Sequence, residues 1–208
     1  MEVVIEKLDL QKADKNYYKA SKAPQIRDLD PYYYLSREGS GKPGSDDFNK
    51  AIEQLYAVAY KIKFLCKAQD MDFVVPKMEA FWWIAGGLEK QYLFPETPQE
   101  EWFWKIVIRM PDFVEADHFY RAVQTVKIKS SDLLENDEVK YELINEGKCA
   151  QILHLGSYAE EELTIMKMMK CIEENGLKVN NYHHEIYLSD PRKTPEQKLR
   201  TILRYGVE

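Results

Sequence analysis

Cysteine is scarce in this chain: 208 residues carry three, Cys66, Cys149 and Cys171. They are odd in number and far apart, with no C-x-x-C or Cys/His spacing, which excludes a disulfide framework and a thiolate metal site. They read as small apolar side chains in a reducing cytoplasm. Positive charge is also short. Lys and Arg total 29 against 35 Asp and Glu, a net charge of −6. A binder of nucleic-acid phosphates needs a basic face, so no nucleic-acid partner is expected. Long hydrophobic runs are missing as well. The longest uncharged apolar stretch, Ala80 to Leu88, is far too short to span a bilayer, so no membrane partner is expected. Met1-Glu2-Val3-Val4-Ile5-Glu6-Lys7 alternates in polarity and carries early acids, unlike a signal peptide. Nothing here sets the oligomeric state; a monomer is compatible with all of it.

Aromatic residues are abundant: 4 Trp, 14 Tyr and 8 Phe. Among them stands one acid in the run His183-His184-Glu185-Ile186-Tyr187-Leu188-Ser189-Asp190-Pro191. The run reads as a strand entering a turn. Strand side chains alternate between faces. His184, Ile186 and Leu188 therefore share a buried side, and His183, Glu185 and Tyr187 share the other. An acid between a His and a Tyr, amid aromatic surface, suits a small, flat, partly charged or electrophilic ligand.

The patterning predicts an α+β fold. Residues 2–10 read as a strand, 11–30 as a polar arm, and Tyr32 to Leu35 as a strand ending in the Gly39–Gly44 loop. Phe48, Ala51, Ile52, Leu55, Val58, Ala59, Ile62 and Leu65 repeat at helical spacing. Strands follow at 80–84 and 102–110. Asp112 and Glu115 form a capping-box pattern for a helix at about 112–129. Residues 130–138 read as irregular. Strands are expected at 139–143 and 150–155. Ser157 and Glu160 form a second capping box, opening a helix ended by Gly176. The 183–188 strand, a short turn from Thr194, and a strand at 201–207 complete the chain.

The two halves repeat an order of strand, glycine turn, amphipathic helix and two strands. Repeat 1 covers about 27–110 and repeat 2 about 139–208, within a single domain over 1–208. Aligning Phe81-Trp82-Trp83-Ile84 with Glu185-Ile186-Tyr187-Leu188 points Phe81 and Trp83 where Glu185 and Tyr187 point. It assigns Trp82 to the core. Two β-α-β-β modules would then join their antiparallel sheets, with helices on one face and a central groove on the other, a common kind of ligand site. Trp104, Tyr141 and Tyr158 are further candidates for lining it, and Tyr34 a more remote one. No cofactor or metal is expected: His184 points away from His183 and Glu185, so a metal would need a third ligand from elsewhere. Gly39-Ser-Gly-Lys-Pro-Gly44 matches G-x-G-x-x-G literally. However, three polar residues separate it from the apolar strand, and Pro43 removes an N–H, so it reads as a turn. Glu160-Glu161-Glu162 reads as a solvated acid cluster at a helix start.

Three stretches carry a family resemblance: Cys149-Ala-Gln-Ile-Leu-His154-Leu-Gly156-Ser-Tyr158, then His183 through Arg192, then Lys198-Leu-Arg-Thr-Ile-Leu-Arg204. With the Gly39–Gly44 turn, the Phe48…Leu55-Tyr56 helix and Phe81-Trp82-Trp83, they resemble the GyrI-like small-molecule-binding proteins, in the branch lacking a DNA-binding domain. The resemblance implies two β-α-β-β repeats around a groove, and a glutamate at Glu185 that meets cationic aromatic compounds. It also implies a catalytic possibility, since some stand-alone members are cyclopropanoid cyclopropyl hydrolases. These open the strained ring of DNA-alkylating natural products inside an aromatic cage. The first repeat departs from the pattern, because Tyr158 has no counterpart in the Gly39 turn. Two functions follow as expectations. One is a detoxifying hydrolase with Glu185 as catalytic base and Phe81, Trp83, Trp104, Tyr141, Tyr158, His183 and Tyr187 as ligand-binding residues. The other is a non-catalytic module that sequesters cationic aromatic xenobiotics.

Overall fold

The computed structural model describes residues 6–130, 132–134 and 139–208. Two short helical turns, α1 (Leu10–Ala13) and α2 (Lys15–Tyr18), lead into β1 (Gln25–Leu29) and β2 (Tyr32–Ser40). Then come α3 (Asp46–Lys67), β3 (Glu79–Trp83), β4 (Phe103–Arg109), α4 (Ala116–Lys129), β5 (Lys140–Ile144) and β6 (Gly147–Leu155). Last come α5 (Glu162–Glu174), β7 (His183–Tyr187) and β8 (Arg200–Gly206). All eight strands form one sheet in the order β1-β6-β8-β7-β3-β4-β2-β5, every pairing antiparallel. Among the described residues no helix is long and apolar enough to cross a membrane.

The α+β class and the duplicated module stand. Repeat 1 contributes β2-α3-β3-β4 and repeat 2 contributes β6-α5-β7-β8, and the repeats meet where β3 pairs with β7. The leading strands are exchanged: β1, at the start of repeat 1, pairs with β6 of repeat 2, while β5, at the start of repeat 2, pairs with β2 of repeat 1. Each edge of one module is thus covered by the other's leading strand, which ties the modules into one sheet.

Local chemistry explains the helices. Ser45 caps α3 by accepting the Phe48 N–H at 3.3 Å, and Asp46 and Asp47 sit at its positive end. One stripe of α3 (Ala51, Leu55, Val58, Ala59, Ile62) is completely buried against Leu35, Trp104, Ile106 and Ile108 of the sheet. Each such Leu or Ile contributes roughly 1.5–3 kcal/mol. Helix α4 packs on α3 through Phe119, Ala122 and Val126. Its capping box is shifted from the expected pair: Glu115 is the cap, and its N–H donates to His118 Nδ1 at 3.1 Å. Ser157 opens a 3-10 turn instead of α5, which starts at Glu162 with Glu161 as cap; Gly176 ends it at φ +67°.

The polar arm is more ordered than its composition suggests. Instead of a strand over 2–10, the described part holds a single bridge, Leu8 to Phe73, followed by α1; residues 2–5 lie outside the described residues. Of the irregular 130–138 stretch, 131 and 135–138 likewise lie outside them. Residues 11–30 form the rest of α1, all of α2, and β1. Tyr17 and Tyr18 bury in the sheet face opposite the helices, beside Tyr34, Phe81, Ile186 and Ile202. That face holds a charged network. The fully buried His184 sits between Glu79 (Nε2–Oε2, 3.1 Å) and Glu146 (Nδ1–Oε1, 2.9 Å). Arg204 donates to Glu146 at 2.8 Å, to the Gln151 side chain and to the Tyr17 carbonyl. Tyr17 and Tyr18 donate to Glu79. The central groove therefore opens on the helix-bearing face, in the gap between α3 and α5, because the arm fills the other side.

Candidate functional site

Strand register decides which side chains reach that gap. Trp82 pairs with Trp104 one residue into β4, and Tyr187 pairs with Thr201 one residue into β8. The repeats thus match Trp82 to Tyr187, Phe81 to Ile186 and Ala80 to Glu185. This is one residue away from the alignment expected from sequence, and a one-residue slip moves every side chain to the other face. Direct pairing across the junction agrees, with Ala80 opposite Glu185 and Phe81 opposite His184.

Phe81 and Trp83 therefore lie on the opposite face from Glu185, correcting the sequence-based placement. Phe81 stacks on His184 at 3.9 Å, and Trp83 stacks between Phe103 and Tyr182. Trp82 lies in the core, as assigned, at 2% exposed, and also borders the gap. Trp104 is on the correct face but fully buried behind Phe48, whose ring meets it edge-on at 5.3 Å. Tyr141 sits on the far edge strand, stacked on Phe119 and donating to the Val114 carbonyl at 2.6 Å. Tyr34 belongs to the network on the other face.

The gap is a cavity of about 1390 Å³. Of the expected residues it brings together Tyr158, His183, Glu185 and Tyr187. One wall is aromatic: Phe48 stacks on Trp82 at 5.6 Å, Trp102 meets Trp82 edge-on at 5.8 Å, and Phe94 stacks on Trp102 at 4.2 Å. Trp102 is held in place by its indole N–H on the Thr97 carbonyl at 2.9 Å. Tyr56 lines the α3 side and Ile165 and Met166 the α5 side. Such rings offer contacts worth about 0.5–1.5 kcal/mol each beyond burial.

The floor is ionisable. The Tyr187 hydroxyl donates to Glu185 Oε2 at 2.6 Å, which leaves Oε1 facing His183 Nε2 at 3.2 Å. Glu161, brought in by the turn before α5, places Oε2 4.0 Å from the same nitrogen. His154 fixes that turn through Thr164 Oγ1 and the Ser157 carbonyl, both at 2.9 Å. Burial, and then the neighbouring Glu185, hold the Glu161 carboxyl well above the usual carboxylate range. Burial, followed by Glu185 and Glu161, pushes the Tyr158 phenol up to about 12. Burial and then Glu185 also raise Tyr187, so both phenols stay neutral donors at neutral pH. Trp82 Nε1, His183 Nδ1 and Glu161 Oε1 are buried at this site without a hydrogen-bond partner.

The cavity lining also includes Trp82, Phe48, Phe94, Trp102, Glu161 and Tyr205, none of which the sequence reading assigns to it. Correct register would have found Trp82, the partner of Tyr187 in the other repeat. Glu161 left no such signal, because its flanking acids Glu160 and Glu162 mask it as part of a solvated run.

The matching family model is the GyrI-like small molecule binding domain, over residues 96–205. The chain belongs to the GyrI-like family. Its solved relatives are similar over nearly the full length. An uncharacterized conserved protein from Listeria innocua is 34% identical, with TM-score 0.87 over 97% of this chain and 100% of that one. A structure described as a hydrolase from Listeria innocua is 32% identical, with TM-score 0.83 and the same coverage. The EcmrR C-terminal domain, 12% identical with TM-score 0.53 over 89% of this chain and 96% of that one, shares the fold. No curated protein matches the chain significantly. This GyrI-like domain is thus a small-molecule-binding module whose cavity pairs an aromatic wall with an acidic floor.

Proposed function

We propose that this GyrI-like protein is a detoxifying hydrolase that opens the cyclopropane ring of DNA-alkylating cyclopropanoid xenobiotics with water. The observation that carries the reading is the Glu185 carboxylate, oriented by the Tyr187 hydroxyl, on the floor of a large aromatic-walled cavity. The hydrolase description of a relative covering the full chain supports it.

In this reading Phe48, Trp82 and Trp102 stack on the conjugated rings of the substrate. Glu185 accepts a proton from a water as the water oxygen bonds to the less hindered cyclopropane carbon. The strained C–C bond breaks and its electron pair passes into the conjugated carbonyl, which leaves as a phenolate. Tyr158 hydrogen-bonds that oxygen as charge develops, and the proton taken by Glu185 returns through solvent to complete the phenol. Atoms balance as substrate plus one water.

A mass-spectrometric time course with a cyclopropane-bearing alkylating compound tests this. Wild type should add one water catalytically, and Glu185→Gln should lose roughly 10²–10⁴ in rate, the usual worth of a positioned base. Equal rates in the two proteins would refute it.

The lining also supports a second reading, a sequestering module for cationic aromatic compounds. Glu53, Glu96, Glu161, Glu162, Glu185 and Asp190 border the cavity against Lys77 and Arg192. In that case compound co-elutes unchanged, and Glu185→Gln weakens cations while sparing neutral ligands.

A further inference from the structure

The most telling unexplained cluster lies on the cavity floor, where Glu161, His183 and Glu185 each offer a ligand atom and all three atoms lie within 4.8 Å of one another. We propose that these three side chains form a binding site for a divalent transition-metal cation of the zinc type, with the cavity side left open to water or to a ligand oxygen. The proposal does not rest on the hydrolase reading, and a bound cation would occupy the Glu185 oxygen that reading uses as base.

Geometry is the first support. Zinc bonds to nitrogen and oxygen run about 2.0–2.2 Å, which sets tetrahedral ligand atoms roughly 3.3 Å apart. His183 Nε2 lies 3.2 Å from Glu185 Oε1 and 4.0 Å from Glu161 Oε2. The set is nearly closed already, and a cation needs only to draw the Glu161 carboxylate inward. The ligands come from β7 and from the cap of α5, so regular structure holds them. The third ligand that the strand alone could not supply comes from Glu161.

Charge is the second. Among the described residues, the ion pairs made by Glu161 and Glu185 are with His183 only, and no Lys or Arg pairs with either. Bringing two carboxylates this close, with Glu161 buried and Glu185 partly buried, costs free energy that a cation between them would offset. An unsatisfied polar atom is the third. Glu161 is 6% exposed, yet its Oε1 has no hydrogen-bond partner. A buried carboxylate oxygen left unpaired costs free energy that a metal bond would recover. The Tyr187 hydroxyl on Glu185 Oε2 is the kind of outer partner that aims a ligating carboxylate. An imidazole beside two carboxylates favours zinc and its neighbours over magnesium or calcium.

The test is calorimetric titration of the EDTA-treated full chain with zinc chloride, without organic ligand, in two buffers of different ionisation enthalpy at about pH 7. The proposal predicts saturable one-to-one binding. Glu161→Gln and His183→Gln should each weaken binding by roughly 100-fold or more, beyond what loss of an outer partner costs. Glu173→Gln, on the exposed far end of α5 and outside the cavity lining, should leave it unchanged. Cobalt(II) loaded in place of zinc should show d–d absorption without thiolate charge transfer, a readout on wild type that does not depend on any variant folding. No saturable uptake at millimolar zinc, undiminished affinity in Glu161→Gln, or a thiolate band would each overturn the proposal.

Discussion

Replacing Glu146 with Gln should remove roughly 3 kcal/mol of stability without touching the cavity. Glu146 is buried just before β6, where it accepts from His184 Nδ1 at 2.9 Å and from Arg204 at 2.8 Å. Burial alone would raise its carboxyl, but the charges of His184 and Arg204 outweigh that and hold it at about 2 instead of 4.5. That displacement corresponds to roughly 3 kcal/mol, in line with breaking a buried ion pair from one side. The pH dependence follows by linkage. The contribution of Glu146 is complete above its unfolded value of 4.5 and is lost as pH falls through about 2. His184 is raised: burial would lower it, but Glu146 and Glu79 more than offset this. Its contribution is complete below 6.5 and is lost as pH rises through its elevated folded value. The gap between wild type and Glu146→Gln should therefore be widest between 4.5 and 6.5. It should narrow by roughly 1 kcal/mol from pH 5.5 to pH 3.5. Urea unfolding of both proteins across pH measures it. A gap below about 1 kcal/mol at pH 5.5, or one that does not change with pH, would refute the reasoning.

Two further predictions concern the scaffold. A Cβ at Gly39 would lie 2.3 Å from the Trp104 indole, so Gly39→Ala should cost about 1–3 kcal/mol of overpacking in thermal or chemical unfolding. An unchanged midpoint would contradict the packing of β2 on Trp104. Tyr17→Phe removes a donor to Glu79 and a partner of the Tyr34 hydroxyl at 2.8 Å, and should cost about 1–3 kcal/mol while leaving ligand binding in the cavity intact. Equal stability of variant and wild type would mean that the arm does not hold the concave face.

Much of the architecture was legible because its signals are local. The apolar stripe of α3, the stop at Gly176 and the repeated strand-turn-helix order each follow from short-range chemistry. Register across β3 was not legible. Four of its five residues are buried, so polarity does not alternate along it and cannot reveal which face Phe81 or Trp82 takes. A single-residue slip then exchanged the true wall residue, Trp82, for Phe81 and Trp83. The 197–206 region shows the same limit in another form. Arg204 is fully buried because Glu146, Gln151 and Tyr17, all remote in sequence, satisfy it, a set of partners no local pattern announces. The 11–30 segment reads only as a polar arm for the same reason: Tyr17 and Tyr18 bury through hydroxyl bonds to Glu79, a pairing no local pattern announces. Glu185, His183, Tyr187 and Tyr158 come together at the cavity because they lie on two motifs whose own alternation and turn chemistry are clear.

The most direct test of the site is a comparison of neighbours on one strand. Trp82→Ala and Trp83→Ala remove the same side chain from opposite faces of β3, one bordering the cavity and one stacked on Tyr182. Titrating each with a cyclopropane-bearing aromatic compound, by fluorescence or calorimetry, should show binding weakened by roughly tenfold or more in Trp82→Ala, as loss of about 1.4 kcal/mol of stacking and burial requires. Trp83→Ala should bind like wild type. Weakened binding in Trp83→Ala with full binding in Trp82→Ala would place the ligand on the other face and contradict the account.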